Sequence, residues 1–269
     1  LIIGLDCAAP ELLFGDDQLH HFRRLMSSGC YGRLESVIPP ITVPAWMCMS
    51  TSQDPGSLGV YGFRNRQDHS YGPLGFGTSN SIRARALWDV VAAAGKQAHI
   101  IGVPPSYPPR RVSGICVGCF LTPDTQRNEY TFPPSINTEI ASLVGEYATD
   151  VKDFRTDNKA WLLEQIYAMS RKHFQVIRHY LSQSRWDYFQ FVEIGLDRIQ
   201  HGFWDCHDPK HRHFVLGNPY LQAIRDYYRY LDEEVGSLLA VLDEETTVLV
   251  VSDHGAQRLD GGFCVNEWL

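Results

Sequence analysis

Three stretches of the chain share one form, a short apolar run that stops on an aspartate: Leu1-Ile2-Ile3-Gly4-Leu5-Asp6, Tyr188-Phe189-Gln190-Phe191-Val192-Glu193-Ile194-Gly195-Leu196-Asp197, and Val248-Leu249-Val250-Val251-Ser252-Asp253-His254. Runs of this length, rich in β-branched and aromatic residues, read as strands buried on both faces of a parallel sheet. Such sheets gather chemistry outside the carboxyl ends of their strands, so Asp6, Asp197 and Asp253 are expected along one edge. His254 directly follows Asp253, and His201 stands four residues after Asp197, on the same face of a helical turn. Three carboxylates and two imidazoles in one place are the donor inventory of a two-metal site. Each aspartate taken singly has a plainer reading, as the N-cap of the helix that follows the strand. The coincidence with two histidines at these spacings favours the metal site.

Strands and helices alternate along the chain, the pattern of an α/β fold with a doubly wound, mostly parallel sheet and helices on both faces. Helices are expected over residues 20–28, ended by Gly29, and 85–94, closed by Gly95, with strands over 98–103 and 112–120. The polar stretch 121–157, with Pro133-Pro134, reads as a surface insertion. Over residues 158–184 the apolar positions Trp161, Leu162, Ile166, Met169, Phe174, Ile177 and Leu181 recur at helical spacing, capped by Asp157 or Asn158, and should face the core. A further helix over about 220–242 feeds the strand that ends at Asp253.

A length of 269 residues and 44% hydrophobic content suit a sizeable core, and 1–269 is expected as one domain. The formal charge of −7, without a long Lys/Arg run, argues against a nucleic-acid-coating surface and leaves a small phosphate-bearing substrate compatible. Seven cysteines, an odd number without framework spacing, favour a reducing compartment such as the cytoplasm. Cys116 and Cys119 have the gap of a zinc or redox motif but lie in an apolar run without a second pair, which reads as packing. No apolar run reaches the ~18 residues of a membrane span, and no signal peptide is recognisable. The chain begins inside a strand without Met and stops at Glu267-Trp268-Leu269, so it is expected to be an excised piece, incomplete at its carboxyl end. Localisation and oligomeric state stay open.

Pro39-Pro40-Ile41-Thr42-Val43-Pro44-Ala45-Trp46 places a hydroxyl just ahead of a Pro-initiated helix. Unpaired N–H groups and the helix dipole favour an anion there, whether an alkoxide or a phosphoryl oxygen. On local sequence alone Thr42 is simply a cap. A neutral threonine is a poor nucleophile near neutral pH and needs a metal or base to activate it. The aspartate cluster offers that metal.

Taken together, Ile2-Ile3-Gly4-Leu5-Asp6, Thr42-Val43-Pro44-Ala45-Trp46, Asp197-Arg198-Ile199-Gln200-His201-Gly202 and Ser252-Asp253-His254-Gly255 resemble, in order and spacing, the alkaline phosphatase superfamily and its type I phosphodiesterase/nucleotide pyrophosphatase branch. The resemblance implies that Asp6, Thr42, Asp253 and His254 surround one metal and that Asp197 and His201 belong to another. The implied cofactors are two divalent ions, zinc foremost, with manganese or iron as alternatives. It further implies hydrolysis of phosphate esters, diesters foremost, in which Thr42 is transiently phosphorylated and water then restores it.

The chain departs from the branch in two places. No histidine follows His254, where the branch supplies one more ligand to the Asp197/His201 metal. The position of a phosphoryl-binding asparagine, about twenty residues beyond the nucleophile, falls on Phe63, so neighbouring Asn65 or Arg64 becomes the candidate and Asn65 is the one taken. A sulfatase is disfavoured, because the Thr42 motif lacks both the Cys or Ser precursor and the following Arg. A phosphomonoesterase, phosphonate hydrolase or phosphotransferase/mutase of the same superfamily is the alternative, and a non-catalytic α/β metal-binding module is the alternative of another class. His207, His211 and His213 lie in a polar segment and read as solvent-facing.

Overall fold

A computed structural model describes residues 1–66, 68, 70 and 72–269. Its strands are β1 (Ile2–Leu5), β2 (Arg64–Asn65), β3 (Gly75–Phe76), β4 (Ala98–Ile101), β5 (Cys116–Val117), β6 (Thr131–Phe132), β7 (Tyr188–Glu193) and β8 (Leu249–Val251). The helices are α1 (Pro10–Phe14), α2 (His20–Ser28), α3 (Thr42–Thr51), α4 (Pro55–Leu58), α5 (Leu87–Ala93), α6 (Ile136–Val144), α7 (Lys159–Gln183), α8 (Gly195–His207), α9 (Ala223–Leu239) and α10 (Val265–Trp268). Among the described residues the main sheet has the order β6-β5-β4-β7-β1-β8, parallel except for β6 against β5, and β2 and β3 form a separate antiparallel hairpin. The alternating strands and helices have thus produced the mostly parallel α/β sheet that their order implied.

Each face of the sheet has its own apolar cluster. One gathers Ile3, Leu5, Phe189 and Phe191 with residues of α2, α7, α8 and α9, and the other gathers Ala98, Ile100 and Val192 with Val43 and Trp46 of α3 and Trp88 of α5. Helix α7 matches its sequence pattern in outline: Asn158 is its N-cap, accepting from Trp161 N at 3.2 Å, and Leu162, Ile166, Met169, Phe174, Ile177 and Leu181 are buried. Trp161 is the exception at 37% exposed, although Leu162 beside it in the same turn is fully buried.

Several elements depart from expectation. β8 is an edge strand with β1 on one side, and Leu249 is 48% exposed, so this run is not buried on both faces. The strand expected over 112–120 shrinks to Cys116–Val117, and ahead of it the Ser113 hydroxyl accepts from Ala98 N and donates to Lys96 O. Residues 121–157, read as a surface insertion, contribute β6 to the sheet and α6 against α7, with Tyr130, Ile140 and Tyr147 buried in the core.

The second aspartate run is a strand followed by a helix. β7 ends at Glu193, and Asp197 is the third residue of α8. Glu193 makes that junction: its Oε1 accepts from Gly195 N, Ser170 Oγ and Tyr227 OH, each at 2.9 Å, and its Oε2 accepts from Leu196 N at 2.8 Å. A fully buried carboxylate is thereby paired with the helix N-terminus it faces. Gly195 is required by this packing, since a β-carbon there would lie 2.0 Å from Tyr227 OH and 2.6 Å from Glu193 Oε1. Replacing Gly195 by Ala is expected to lower stability by about 3 kcal/mol, read as a fall in the urea midpoint at constant slope. An unchanged midpoint would show that this junction does not fix the start of α8.

Candidate active site

Strands β7, β1 and β8 are neighbours, so the residues just past their carboxyl ends are brought to one edge. Asp6, the first residue after β1, is fully buried; its amide donates to Glu193 O at 3.0 Å, and its Oδ2 accepts from Trp46 Nε1 at 2.9 Å. Asp253 lies two residues past β8, and its Oδ1 accepts from Cys7 N at 3.1 Å. That bond is available because Cys7 adopts φ +66°, a left-handed conformation uncommon for a residue with a side chain. Ala8 N donates to Ser252 Oγ at 2.8 Å, so the turns after β1 and β8 are tied together.

His254 Nε2 stands 3.2 Å from Asp253 Oδ2, 3.8 Å from Asp6 Oδ1 and 3.2 Å from Thr42 Oγ1. Asp6 Oδ1 and Asp253 Oδ2 are buried and have no hydrogen-bond partner, although the His254 imidazole stands close to both. Buried carboxylate oxygens without partners are costly, yet here they converge with an imidazole nitrogen and a hydroxyl. Ligand atoms of Asp6, Asp253 and His254 lie within 4.8 Å of one another. Carboxylates with an imidazole suit a divalent ion such as zinc, and a cation between the unpartnered oxygens would satisfy both, so the residues fit a metal. Another acidic group, His21 with Asp232 and Glu233, differs in this respect, since both Asp232 oxygens accept from the amides of His21 and Phe22.

Thr42 is the first residue of α3 rather than the residue ahead of it, and the N-cap, Ile41, makes no side-chain cap bond. The threonine hydroxyl is therefore not a cap. It turns to His254 from the helix N-terminus. Trp46, one turn later on the same helix, reaches Asp6, so a single helix face presents the hydroxyl and positions the carboxylate. Gly4 makes room for that indole: a β-carbon at Gly4 would sit 2.7 Å from Trp46 Cη2.

Asp197 and His201 share one face of α8, with His201 Nε2 3.3 Å from Asp197 Oδ1 and the imidazole largely open to solvent. The other oxygen, Asp197 Oδ2, accepts from Arg198 Nη1. Arg198 also grips Asp150 in a fork, Nε to Oδ1 at 2.7 Å and Nη2 to Oδ2 at 2.8 Å, and its guanidinium lies 4.4 Å from the Phe154 ring centre and 5.4 Å from that of Phe120. Phe154 stands 6.3 Å from the His201 ring as well. Among the described residues no third His, Cys, Asp or Glu joins Asp197 and His201 in a compact group. His207 instead reaches Leu221 O at 3.5 Å, and His211 packs on His213. Asn65 accepts from Tyr61 N at 2.7 Å and donates to Gly62 O at 2.9 Å, bonds that shape the loop behind α3.

Electrostatics mark the same place. Burial, then the charges of Asp253 and Asp197, hold the Asp6 carboxyl well above its ordinary range, and burial pushes Asp253 up to about 6. At Asp197 burial also acts upward, but the His201 contact and the charges of Arg198, His201 and His254 outweigh it and the carboxyl lies below its usual value. Burial thus opposes ionisation at Asp197, and its cationic neighbours outweigh it.

Sequence reasoning assigns no role to Trp46, Arg198, Asp150 or Cys7. Trp46 is within its reach, standing four residues after Thr42. The Arg198–Asp150 pair spans 48 residues, and no local pattern signals it.

A parallel sheet whose adjacent strands deliver acids and an imidazole beside a helix-terminal threonine defines a fold of the alkaline phosphatase type. The chain belongs to the type I phosphodiesterase/nucleotide pyrophosphatase family, which it matches over residues 1–269. Among solved structures it is similar to phosphonoacetate hydrolase from Sinorhizobium meliloti 1021, in complex with phosphonoformate (TM-score 0.63, 16% identity) and with phosphonoacetate (TM-score 0.62, 15% identity). Each match covers 94% of this chain and 55% of the other, so the chain spans about half the length of these neighbours. No curated protein sequence matches it. No helix among the described residues is long and apolar enough to cross a membrane.

The raised carboxyls predict how metal binding responds to pH. In the metal-free fold Asp6 and Asp253 keep protons that the unfolded chain has lost, so their contribution to stability is full below the ordinary carboxylate range; that of Asp253 is lost as pH rises through about 6, and that of Asp6 as pH rises through its own raised range. A bound dication needs the same groups ionised. The rise in melting temperature on adding zinc is therefore expected to be larger at about pH 7.5 than at about pH 5. Equal shifts at both pH values would remove these two carboxylates from the metal site.

Proposed function

We propose that the protein hydrolyses phosphate esters, diesters foremost, with Thr42 as nucleophile and two divalent ions, zinc foremost, as cofactors. Asp6, Thr42, Asp253 and His254 would hold one ion, and Asp197 with His201 the other. The observation that carries this reading is the Thr42 hydroxyl, free of any capping role, 3.2 Å from His254 Nε2 and beside two unpartnered carboxylate oxygens. Family membership and the phosphonate-binding neighbours support the same chemistry at phosphorus.

When bound, the ions supply Lewis acidity that lowers the pKa of a hydroxyl or water and offsets charge developing on the phosphoryl oxygens. The chain's own residues do the rest. Thr42 Oγ1 attacks phosphorus, forming an O–P bond as the alcohol oxygen departs, and water then cleaves that bond and regenerates the hydroxyl. The N-terminus of α3 directs amide N–H groups toward the phosphoryl oxygens, which favours the extra negative charge of the transition state. Trp46 and Cys7 fix the orientation of Asp6 and Asp253 by one hydrogen bond each, leaving one oxygen of each carboxylate for the ion. Asn65 has a second amide hydrogen beyond the one used on Gly62 O, and is proposed to direct it to a phosphoryl oxygen.

Thr42→Ala is expected to keep the fold and zinc uptake while turnover of bis(p-nitrophenyl) phosphate falls at least about a thousandfold. Near wild-type turnover in this variant would sink the covalent route. Asp253→Asn is expected to lose one equivalent of zinc, read by elemental analysis after dialysis, since it removes charge from the pair of facing carboxylates. Unchanged zinc content would take Asp253 out of the ligand set.

A further inference from the structure

Arg198 follows Asp197 directly on α8, and consecutive helix residues point about 100° apart, so helix geometry alone does not bring the two side chains together. They meet because Asp150 reaches in from outside the helix. Arg198 Nε and Nη2 donate to the two Asp150 oxygens at 2.7 and 2.8 Å, which leaves Nη1 to donate to Asp197 Oδ2. Asp150 is held in turn: its Oδ1 also accepts from Val151 N at 2.8 Å, and two residues earlier Ala148 O accepts from His173 Nε2 at 2.7 Å. His173 is a buried residue of α7, so a chain of contacts runs from that core helix through Asp150 and Arg198 to Asp197. The Arg198 and Asp197 side chains are 8% and 5% exposed. Phe120, Asp150 and Phe154, the groups around the guanidinium, line a cavity of about 670 Å³, while Arg198 is not itself part of that wall.

We propose that Arg198 is a positioning residue for the reaction: anchored by Asp150, it takes Asp197 Oδ2 and so presents Oδ1 alone, beside His201, to the second ion. This rests on the two-ion hydrolase reading above and adds how a pair without a compact third ligand among the described residues keeps its geometry. The last torsion of an aspartate is broad, so an unrestrained Asp197 could turn either oxygen, or both, toward a cation. A site with three or four protein ligands selects one arrangement by mutual constraint, whereas two ligands leave the choice to the contacts behind them. Here Asp197 Oδ1 stands 3.3 Å from His201 Nε2, and the opposite oxygen is the one that Arg198 occupies. The planar fork is needed for this. A lysine would bring a point charge that cannot grip both Asp150 oxygens and still reach Asp197 in a fixed direction. Arg198 acts through Asp197 and not on the substrate, since it lies behind Phe120 and Phe154 and donates from Nε, Nη1 and Nη2 to carboxylates of the chain.

The test titrates zinc against a chromophoric chelator in the wild type and in Asp150→Ala, Asp150→Asn, Arg198→Lys, Arg198→Gln and the Asp150→Ala/Arg198→Gln double variant. Asp150→Ala is expected to leave the first equivalent unchanged and to weaken the second at least about tenfold, although Asp150 itself touches no proposed ligand. Asp150→Asn, which keeps an acceptor and loses the charge, should fall between, and Arg198→Lys should resemble Arg198→Gln more than the wild type. In the double variant the second equivalent should be no weaker than in Arg198→Gln alone, because Asp150 acts only through the arginine. Turnover of bis(p-nitrophenyl) phosphate by Asp150→Ala should fall in kcat with KM unchanged, and recover in excess zinc, as a loss of fold would not. Arg178→Gln, which breaks the pair with Glu234 between α7 and α9, is the control and should keep both equivalents. If Asp150→Ala melts lower than wild type, Asp150→Asn and the coupling in the double variant carry the test. A second equivalent as tight as wild type in both Asp150 variants, additive losses in the double variant, or a raised KM with zinc binding intact would overturn the proposal. A wild type that takes up no second equivalent would instead bring down the two-ion reading, and this assignment with it.

Discussion

Three carboxylates that are nearly removed from water and act on one another through space set the terms for this structure. Asp6 is destabilised as an anion by its burial and by the charges of Asp253 and Asp197. Hydrophobic sheet packing could not by itself tolerate such a group, because desolvating unpaired carboxylates costs several kcal/mol each. A fold that nevertheless keeps Asp6 Oδ1 and Asp253 Oδ2 facing an imidazole and a hydroxyl has local stability subordinated to cation binding. In the proposed reading a cation would supply the other half of the electrostatic balance, and the surrounding contacts would hold its ligands still.

That support is divided between two kinds of contact. Around Asp6 and Asp253 it is backbone and indole: the left-handed turn at Cys7, the Ser252 bridge to Ala8 and the Trp46 N–H each occupy one oxygen or fix one turn. Around Asp197 it is charge, with Arg198 held between Asp150 and Asp197 and flanked by two aromatic rings. The difference comes from position. Asp6 and Asp253 leave strands in the middle and at the edge of the sheet, where neighbouring turns are close, whereas Asp197 rides on a helix whose start is set by Glu193. The Asp197/His201 pair, proposed above to hold an ion, sits on a helix fixed at its N-terminus by Glu193, and residues 150–154 supply the contact from outside.

How much of this is legible in the sequence depends on the range of each interaction. A short apolar run ending in Asp is a local pattern, so the convergence of Asp6, Asp253 and His254 can be anticipated, as can the i, i+4 pairing of Asp197 with His201, whereas Thr42 joins them only through the family resemblance. The edge position of β8 cannot, because Leu249-Val250-Val251 has the composition of a central strand and its exposure depends on what pairs beyond it. Nor can the start of α8 inside the second run, since Gly195 and Leu196 continue an apolar stretch while Glu193 captures their amides from behind. Local rules place Thr42 one residue ahead of its helix because Ile41 takes the N-cap position without making a cap bond, an arrangement that propensity does not favour.

The stretch 121–157 shows why polarity misleads about function. Its Asp, Lys and Thr residues look like a solvated excursion, yet Asp150 holds the arginine that orients Asp197, Phe154 covers both that arginine and His201, and the same segment walls the cavity. Asp124, Glu146, Asp150, Lys152 and Asp153 of this stretch all line that cavity. One segment thus carries two burdens, fixing a helix-borne ligand pair and shaping the space beside it, and a change in what occupies the cavity bears directly on the rings that clamp Arg198. The cavity wall and the posture of Asp197 are consequently coupled by contact, through two aromatic rings and one guanidinium.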